Sequence, residues 1–183
     1  ALNTGGIPDG LLLKADTGGT ILNHKLYDGI YNNNDWLNCG LQMGNYYYLF
    51  GATQSYAPPY VTGWDRRDGW VVKTDLLGNE ITSAAYGNPN LADDDFTYAL
   101  IITGNKIITG KDKGIATHPS GFRMFKPYIY VINDDLSIYK ELSFKESYTS
   151  GDTLFNSSFI QGIVNIDSSF TFLGRDIALN TVT

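Results

Sequence analysis

Residues 11–27 read LLLKADTGGTILNHKLY, and residues 70–86 read WVVKTDLLGNEITSAAY. A shift of 59 positions, the distance from residue 11 to residue 70, superimposes the two stretches. The identical positions are Lys14 with Lys73, Asp16 with Asp75, Gly19 with Gly78 and Tyr27 with Tyr86. A long internal repeat of this kind indicates that copies of one supersecondary unit pack against each other.

A more divergent third copy, YIYVINDDLSIYKELSF, spans residues 128–144. In this copy Asn133 replaces the aspartate, Leu136 the glycine and Phe144 the tyrosine. Leucine disfavours the left-handed backbone that glycine adopts in such turns. We therefore expect the third hairpin to turn differently, or to move its bend onto residues 134–135.

Each repeat continues into a second apolar segment that ends in glycine. These segments are YYYLFG at 46–51, KIITG at 106–110 and FTFLG at 170–174. They follow the hairpin-turn residues Gly44-Asn45, Gly104-Asn105 and Asp167-Ser168-Ser169, respectively. Short β-branched or aromatic runs bounded by turn residues predict strands. The sequence therefore predicts an all-β chain, a single repeat domain over residues 1–183 with units at about 9–67, 68–126 and 127–183.

The pattern at residues 68–79, DGWVVKTDLLGN, resembles the blade repeats of secreted β-propeller proteins of Bacteroidota. This resemblance implies propeller-like four-stranded antiparallel blades in a secreted or cell-surface protein, on the extracellular face of the outer membrane. Propellers typically close with four to eight blades, so the resemblance also implies assembly with another chain or with further blades. The alternative architecture is an irregular β-sandwich made of three hairpin units.

Composition excludes several classes of function. The net charge is -6, and the thirteen Lys and Arg residues are scattered along the chain, which argues against a nucleic-acid partner. No apolar run reaches the roughly twenty residues of a membrane-spanning helix. Cys39 is the single cysteine, so no intramolecular disulfide is possible, and we expect it to be a small buried apolar residue.

No motif in the chain predicts catalysis, a metal or a cofactor. The nucleophile elbow and the phosphate-binding loops are absent, and His24 and His118 do not have the spacing of metal ligands. We expect His24 to lie on a strand surface. The acidic run at 93–95 lacks the spacing of a calcium loop and predicts a solvated turn, equivalent to the run at 32–35.

The loops between the repeats, which would be inter-blade loops, are the predicted contact surface, because binding residues concentrate on loops held by a rigid scaffold. Residues 54–67 read QSYAPPYVTGWDRR, and residues 114–126 form the corresponding loop. Their aromatic side chains could stack on sugar rings or anchor a protein, or could instead cover the edge of a blade. The candidate binding residues are Tyr56, Tyr60, Trp64, Arg66, Arg67, Phe122 and Arg123.

The function expected from these features is a non-catalytic interaction module that binds a protein partner or a glycan, as an accessory subunit of an outer-membrane assembly. Two alternatives remain open at this stage. The chain could be a fragment of a propeller enzyme, such as a glycoside hydrolase or lyase, with carboxylates around the central channel. It could also be a purely architectural subunit that completes a ring.

Overall fold

The computed structural model describes residues 9–29, 33–55, 67–87, 94–103, 106–117, 123–143, 153–166 and 169–180. These residues form strands and turns, without a helix among them, which confirms the predicted all-β class. The strands are β1 Gly10–Ala15, β2 Ile21–Tyr27, β3 Asp35–Met43, β4 Tyr46–Thr53, β5 Asp68–Asp75, β6 Glu80–Tyr86, β7 Asp94–Thr103, β8 Lys106–Thr117, β9 Arg123–Asn133, β10 Ile138–Ser143, β11 Thr153–Ile166 and β12 Ser169–Asn180.

The strands are arranged in four antiparallel sheets. Two of the sheets have four strands, in the orders β3-β4-β5-β6 and β7-β8-β9-β10, and two have only two strands, β1-β2 and β11-β12. Each four-stranded sheet joins the last two strands of one sequence repeat to the first two strands of the next. The sheets are therefore offset by half a unit from the sequence repeats.

The hairpin registers show which strands are equivalent. The β1-β2 ladder has an irregularity between Lys14 and Ala15, and the β5-β6 ladder has one at the corresponding positions, Lys73 and Thr74. In β3-β4 the irregularity follows the pair Leu37 with Gly51, and in β11-β12 one of the two irregularities follows the pair Ile160 with Gly174. Thus β1-β2 is equivalent to β5-β6, and β11-β12 to β3-β4.

The largest apolar cluster lies between the two four-stranded sheets and is centred on Phe96. Its ring meets Phe50, Tyr86 and Tyr130 edge-to-face, with centroid separations of 5.7, 5.3 and 5.9 Å. Each aromatic pair of this geometry adds about 0.5–1.5 kcal/mol beyond the burial of area. The other buried members are Tyr48, Val71, Ile107, Ile132 and Leu136.

A second cluster lies between the β1-β2 hairpin and the opposite face of the β3–β6 sheet. Leu12 and Tyr27 of the hairpin pack there against Leu49, Trp70 and Val72. Strand β5 is consequently buried on both faces, because successive side chains of a strand point to opposite sides. This explains why its sequence, DGWVVKTD, has a continuous apolar run rather than an alternating pattern.

The third hairpin turn has the same backbone form as the first two, so the expectation that it turns differently was wrong, whereas the alternative of a bend on residues 134–135 agrees with the structure. The amide of Gly78 donates to the carbonyl of Asp75 at 3.0 Å, and the amide of Leu136 donates to that of Asn133 at 3.0 Å. Leu136 adopts a left-handed φ of 68°, close to the 78° of Gly78. Its side chain is buried in the Phe96 cluster, and this packing offsets the backbone cost of about 1–2 kcal/mol.

Leu136→Gly should therefore destabilise the protein although it relieves the backbone. Losing a buried leucine side chain costs about 2–5 kcal/mol, which exceeds the relief of about 1–2 kcal/mol. We expect a lower free energy of unfolding in urea titrations. Gly78→Ala is the matched control and should also destabilise, because a Cβ there lies 2.9 Å from Cγ of Lys25 at a φ of +78°. A stabilised Leu136→Gly variant would show that strain outweighs packing.

A tyrosine hydroxyl links each of the first two repeats to the turn of the next one. The hydroxyl of Tyr27 donates to the carbonyl of Gly78 at 2.8 Å, and that of Tyr86 donates to the carbonyl of Leu136 at 2.5 Å. Burial raises the pKa of Tyr27 to about 12, so this hydroxyl keeps its proton. The third repeat has Phe144 at this position and has no hydroxyl to donate.

Tyr27→Phe and Tyr86→Phe should each lower the free energy of unfolding by about 0.5–1.5 kcal/mol, because each removes one hydrogen bond and keeps the ring. Tyr139→Phe is the control, since that side chain is 60% exposed and should tolerate the change. Equal stabilities of all three variants in urea titrations would contradict a stabilising role for the two inter-sheet hydrogen bonds.

Candidate functional site

Of the seven candidate binding residues, Arg67 is the one whose side chain lies in the described part of the structure. The others in the first connection, Tyr56, Tyr60, Trp64 and Arg66, lie outside the described residues, as does Phe122. Arg123 is the first residue of β9, and its backbone pairs with Thr117. Arg67 directly precedes β5.

The second connection is shorter than the sequence suggested. Strand β8 continues to Thr117 and β9 begins at Arg123, and residues such as Gly114 and Phe125 are paired across them. The expectation of a loop over 114–126 was therefore wrong, and the connection between the strands covers residues 118–122. The two connections are equivalent as predicted, because each joins the second and third strands of a four-stranded sheet. The expectation that they lie between four-stranded units was wrong, since the sheets are offset by half a unit from the sequence repeats.

A buried carboxylate holds the base of the β4-β5 connection. Asp35 is completely buried at the start of β3. Its carboxylate accepts hydrogen bonds from Thr53 Oγ1 at 2.5 Å, Ser55 Oγ at 2.8 Å and the amide of Gly29 at 2.9 Å. A buried charge is tolerated when it is hydrogen-bonded in this way. Asp35 therefore fixes the point where the chain leaves β4.

The asparagines that precede Asp35 extend this hydrogen-bond network. The amide of Gln54 donates to the carbonyl of Asn34 at 3.0 Å, and Nδ2 of Asn34 donates to Oε1 of Gln54 at 3.0 Å. The amide of Asn33 donates to Oγ of Ser55 at 2.9 Å. The sequence suggested only a surface loop here. The structure makes Asn33 and Asn34 part of the support of the β4-β5 connection, together with Asp35, Thr53 and Ser55, and we call these five residues the stem.

Arg67 lies at the other end of the same connection, against an aromatic ring. Its guanidinium carbon is 5.5 Å from the centroid of Trp36, within the range of a cation–π contact. The backbone register explains this meeting, because Thr53 pairs with Asp35 on one side and with Asp68 on the other. The residues flanking these partners, Trp36 and Arg67, are thereby brought to the same end of the sheet.

Asp28 lies beside the stem and has an unusual proton affinity. Loss of hydration raises the pKa of its carboxyl to about 6, with further contributions from a hydrogen bond to Asp35 and from the charges of Asp35 and Asp9. An unfolded aspartate loses its proton near its ordinary value of 3.8. The folded chain therefore holds an extra proton between these two values, and stability falls as the pH rises through this window.

Asp28→Asn should remove this dependence, because an amide does not ionise. We expect the melting temperature of the variant, relative to the original protein, to rise between about pH 4 and about pH 6 and to level off above that range. Asp16→Asn is the opposite control. Amide donors from Thr20, Gly18 and Gly19 lower the pKa of Asp16, so losing its charge should destabilise the protein at neutral pH. Parallel pH profiles for the original protein and Asp28→Asn would contradict the argument.

A second polar cluster connects the two four-stranded sheets around Lys73. Its Nζ lies 2.8 Å from Oδ1 of Asp134 and 4.4 Å from the centroid of the Tyr46 ring. The hydroxyl of Tyr48 donates to the same carboxylate. Burial opposes the charge of Lys73, but the hydrogen bonds to Asp134 and Tyr48 outweigh it and raise the Lys73 pKa. A lysine held in its protonated form fits a structural link better than a general base.

A groove of about 290 Å³ separates the β1-β2 hairpin from the β5-β6 turn. Two polar side chains at its border already bind the facing turn. Nδ2 of Asn23 donates to the carbonyl of Leu77 at 2.8 Å, and Nζ of Lys25 donates to Oδ1 of Asn79 at 3.1 Å. His24 also borders the groove and is exposed on β2, which confirms the expected strand-surface position.

The remaining sequence predictions concern metal ligands and Cys39. Within the described part of the chain, no group of three or more His, Cys, Asp or Glu residues could hold a metal ion. Asp94 and Asp95 belong to β7 and pair with Lys113 and Asp112, so the turn expected over 93–95 was wrong for these two residues. Asp93 and His118 lie outside the described residues. Cys39 packs against the Phe96 cluster, as expected of an apolar residue, but it is only partly buried. Burial raises the pKa of its thiol to about 12.

These features define an all-β repeat protein whose sheets pack face to face, with a candidate binding surface at the β4-β5 and β8-β9 connections. A comparison with known protein families and with curated proteins finds no match for the chain. In the ranges that the structure describes, no helix is long and apolar enough to cross a membrane.

Proposed function

We propose that the chain is a non-catalytic interaction module of β-propeller type, which binds a protein partner or a glycan through the β4-β5 and β8-β9 connections. The observation that carries this proposal is the stem, which fixes the base of the aromatic β4-β5 connection with buried hydrogen bonds around Asp35. A binding loop gains affinity when its ends are held before the ligand arrives, because less conformational freedom is lost on binding.

The composition of the β4-β5 connection fits this role. It carries Tyr56, Tyr60 and Trp64, which offer flat apolar surfaces, and the basic residues Arg66 and Arg67. Aromatic and arginine side chains are over-represented among the residues that dominate binding energy in protein interfaces. Aromatic rings can equally stack on the apolar faces of sugars. Both partner classes therefore fit the same set of side chains.

The propeller architecture is supported by the way the sheets follow each other. The β1-β2 hairpin packs on one face of the β3–β6 sheet, and the opposite face of that sheet packs on the β7–β10 sheet. Strand β11 in turn contacts β7, β8 and β9. This repeated face-to-face order is what successive blades of a propeller would give, and it supports the proposal. Secretion or display on the cell surface, within an outer-membrane assembly, follows from the sequence resemblance.

The enzyme alternative requires two carboxyl groups that face a substrate, and the structure places Asp28 within hydrogen-bond reach of the buried Asp35. The oxygens of Asp35 are already used by Thr53, Ser55 and Gly29. A glycosidase needs both carboxyl groups directed at the substrate. The pair therefore fits a structural role at the stem better than glycoside hydrolysis.

Trp64→Ala and Tyr60→Ala should each weaken binding by about tenfold or more, because removal of a central aromatic anchor costs about 2 kcal/mol or more. The measurement is affinity for the strongest binder in a panel of immobilised oligosaccharides and outer-membrane proteins. Ile81→Ala is the control, since Ile81 is an exposed residue of β6 away from both connections. Full affinity in both aromatic variants, with unchanged melting temperatures, would remove the β4-β5 connection from the binding surface.

A further inference from the structure

The β1-β2 hairpin has one covered face and one open face. Leu12 and Tyr27 are on the covered face, packed against the β3–β6 sheet. On the open face Leu11, Leu13 and Leu26 are 44%, 49% and 40% exposed. Three neighbouring leucines on one exposed sheet face form an apolar patch of the kind that marks an interaction surface.

The repeat identifies what covers such a face. Leu11 and Leu13 occupy the positions of Trp70 and Val72 one repeat later, since each pair is separated by the same 59 positions as residues 11 and 70. Trp70 and Val72 have no exposed surface, because the preceding hairpin packs on them. The cover expected for Leu11 and Leu13 is therefore the face of another sheet of the same repeat.

The backbone edges of the two short sheets are complementary as well. In the complete sheets, β4 pairs with β5 and β8 pairs with β9. Among the described strands, β12 pairs with β11 alone and β1 with β2 alone, although β12 is equivalent to β4 and β1 to β5. Gly51 pairs with Trp70. The same register places Gly174 opposite Leu11, and Phe172 opposite Leu13.

The β7–β10 sheet also has an exposed leucine, at the position where a docked β1-β2 hairpin would lie. Leu142 of β10 is 41% exposed and pairs with Ile129 of β9. It is equivalent to Ala84, which packs on the Phe96 cluster from the face of β6 that the following sheet covers. A β1-β2 hairpin placed beside β12 would bring its open face over β9 and β10. This single contact would cover the three exposed leucines of the hairpin and Leu142 of β10.

We propose that the β1-β2 hairpin of one copy docks beside β12 of a second copy and completes a four-stranded β11-β12-β1-β2 sheet between them. This inference rests on the proposed propeller architecture. Counted on the described strands, a ring formed within one copy would have three sheets, whereas a ring of two copies would have six, within the four to eight typical of propellers. The same contact made twice about a two-fold axis closes the ring and leaves no open edge.

The native mass tests this assembly directly. Light scattering after size exclusion should give about twice the chain mass of 20.2 kDa. Leu13→Lys should shift the protein to the single-chain mass, because it places a charge in the contact. Ile81→Lys is the matched control, since Ile81 is 52% exposed on a strand of a complete sheet and lies outside the contact. A single-chain mass for the original protein at 100-fold dilution and at high concentration alike would overturn the proposal.

Cross-linking tests the proposed register of β1 against β12 and whether the hairpin docks on a second copy of the chain. In a Cys39→Ala background, Leu13→Cys with Phe172→Cys should form a covalent dimer on mild oxidation, because the two positions face each other between copies. Leu13→Cys with Leu173→Cys is the control, since a shift by one residue points the side chain to the other face. An internal disulfide within a single chain, or equal cross-linking of the control pair, would overturn the proposal.

These readouts are independent of ligand binding. If Leu13→Lys is a single chain that keeps its affinity in the oligosaccharide and protein panel, the binding function stands without the assembly. If the original protein dimerises and Trp64→Ala leaves the affinity unchanged, the assembly stands and the proposed binding surface is wrong.

Discussion

The structure depends on each sheet covering the face of the next one. Tyr86 shows this most clearly, because its ring packs on Phe96 while its hydroxyl donates to the carbonyl of Leu136 in the following sheet. The apolar contact supplies most of the favourable free energy, and the hydrogen bond fixes where the turn lies against the ring. Tyr27 makes the same pair of interactions one repeat earlier. A sheet with an uncovered face would lack both the apolar contact and the tyrosine hydrogen bond on that face.

The same stacking explains why the base of the β4-β5 connection can carry a buried charge. Asp35 is placed at the start of β3, where its backbone pairs with Thr53 and the sheet supplies fixed hydroxyl and amide donors. The hydrogen bonds stabilise the carboxylate, and the carboxylate in turn fixes Ser55 at the beginning of the connection. The hydrogen bonds of the stem thus hold the end of β4, and under the proposed function this would reduce the conformational freedom lost on binding.

The repeat, the strand class and two of the hairpin turns could be predicted because they depend on local chemistry. Gly19 and Gly78 have positive φ angles where the Asp-x-x-Gly pattern requires them. The conformation of Leu136 could not be predicted in this way. Its backbone preference opposes the turn, and only the burial of its side chain in a cluster formed by distant residues reverses the balance.

The position of the candidate site along the chain could be predicted from the sequence, but its side-chain contacts could not, because they too depend on residues distant in the sequence. The sequence alone shows an aromatic, proline-containing connection, whereas the hydrogen-bond partners of Asp35 come from two other segments of the chain, at Gly29 and at Thr53 and Ser55. Arg67 was expected to face a ligand, and the structure places it over Trp36, which no sequence pattern had singled out. The extension of β8 to Thr117 likewise depends on pairing with β9, and the local amino-acid composition does not predict it.

The proposed assembly has a consequence for the binding surface. In each complete sheet the second and third strands are joined by a connection of the chain, which is where the candidate binding residues lie. In the composite sheet the corresponding strands, β12 and β1, belong to different copies and have no such connection between them. A ring of two copies would therefore present its connections in two separated pairs. A ligand that spans both members of a pair would bind one copy at a time, and dimerisation would double the valency without creating a new site.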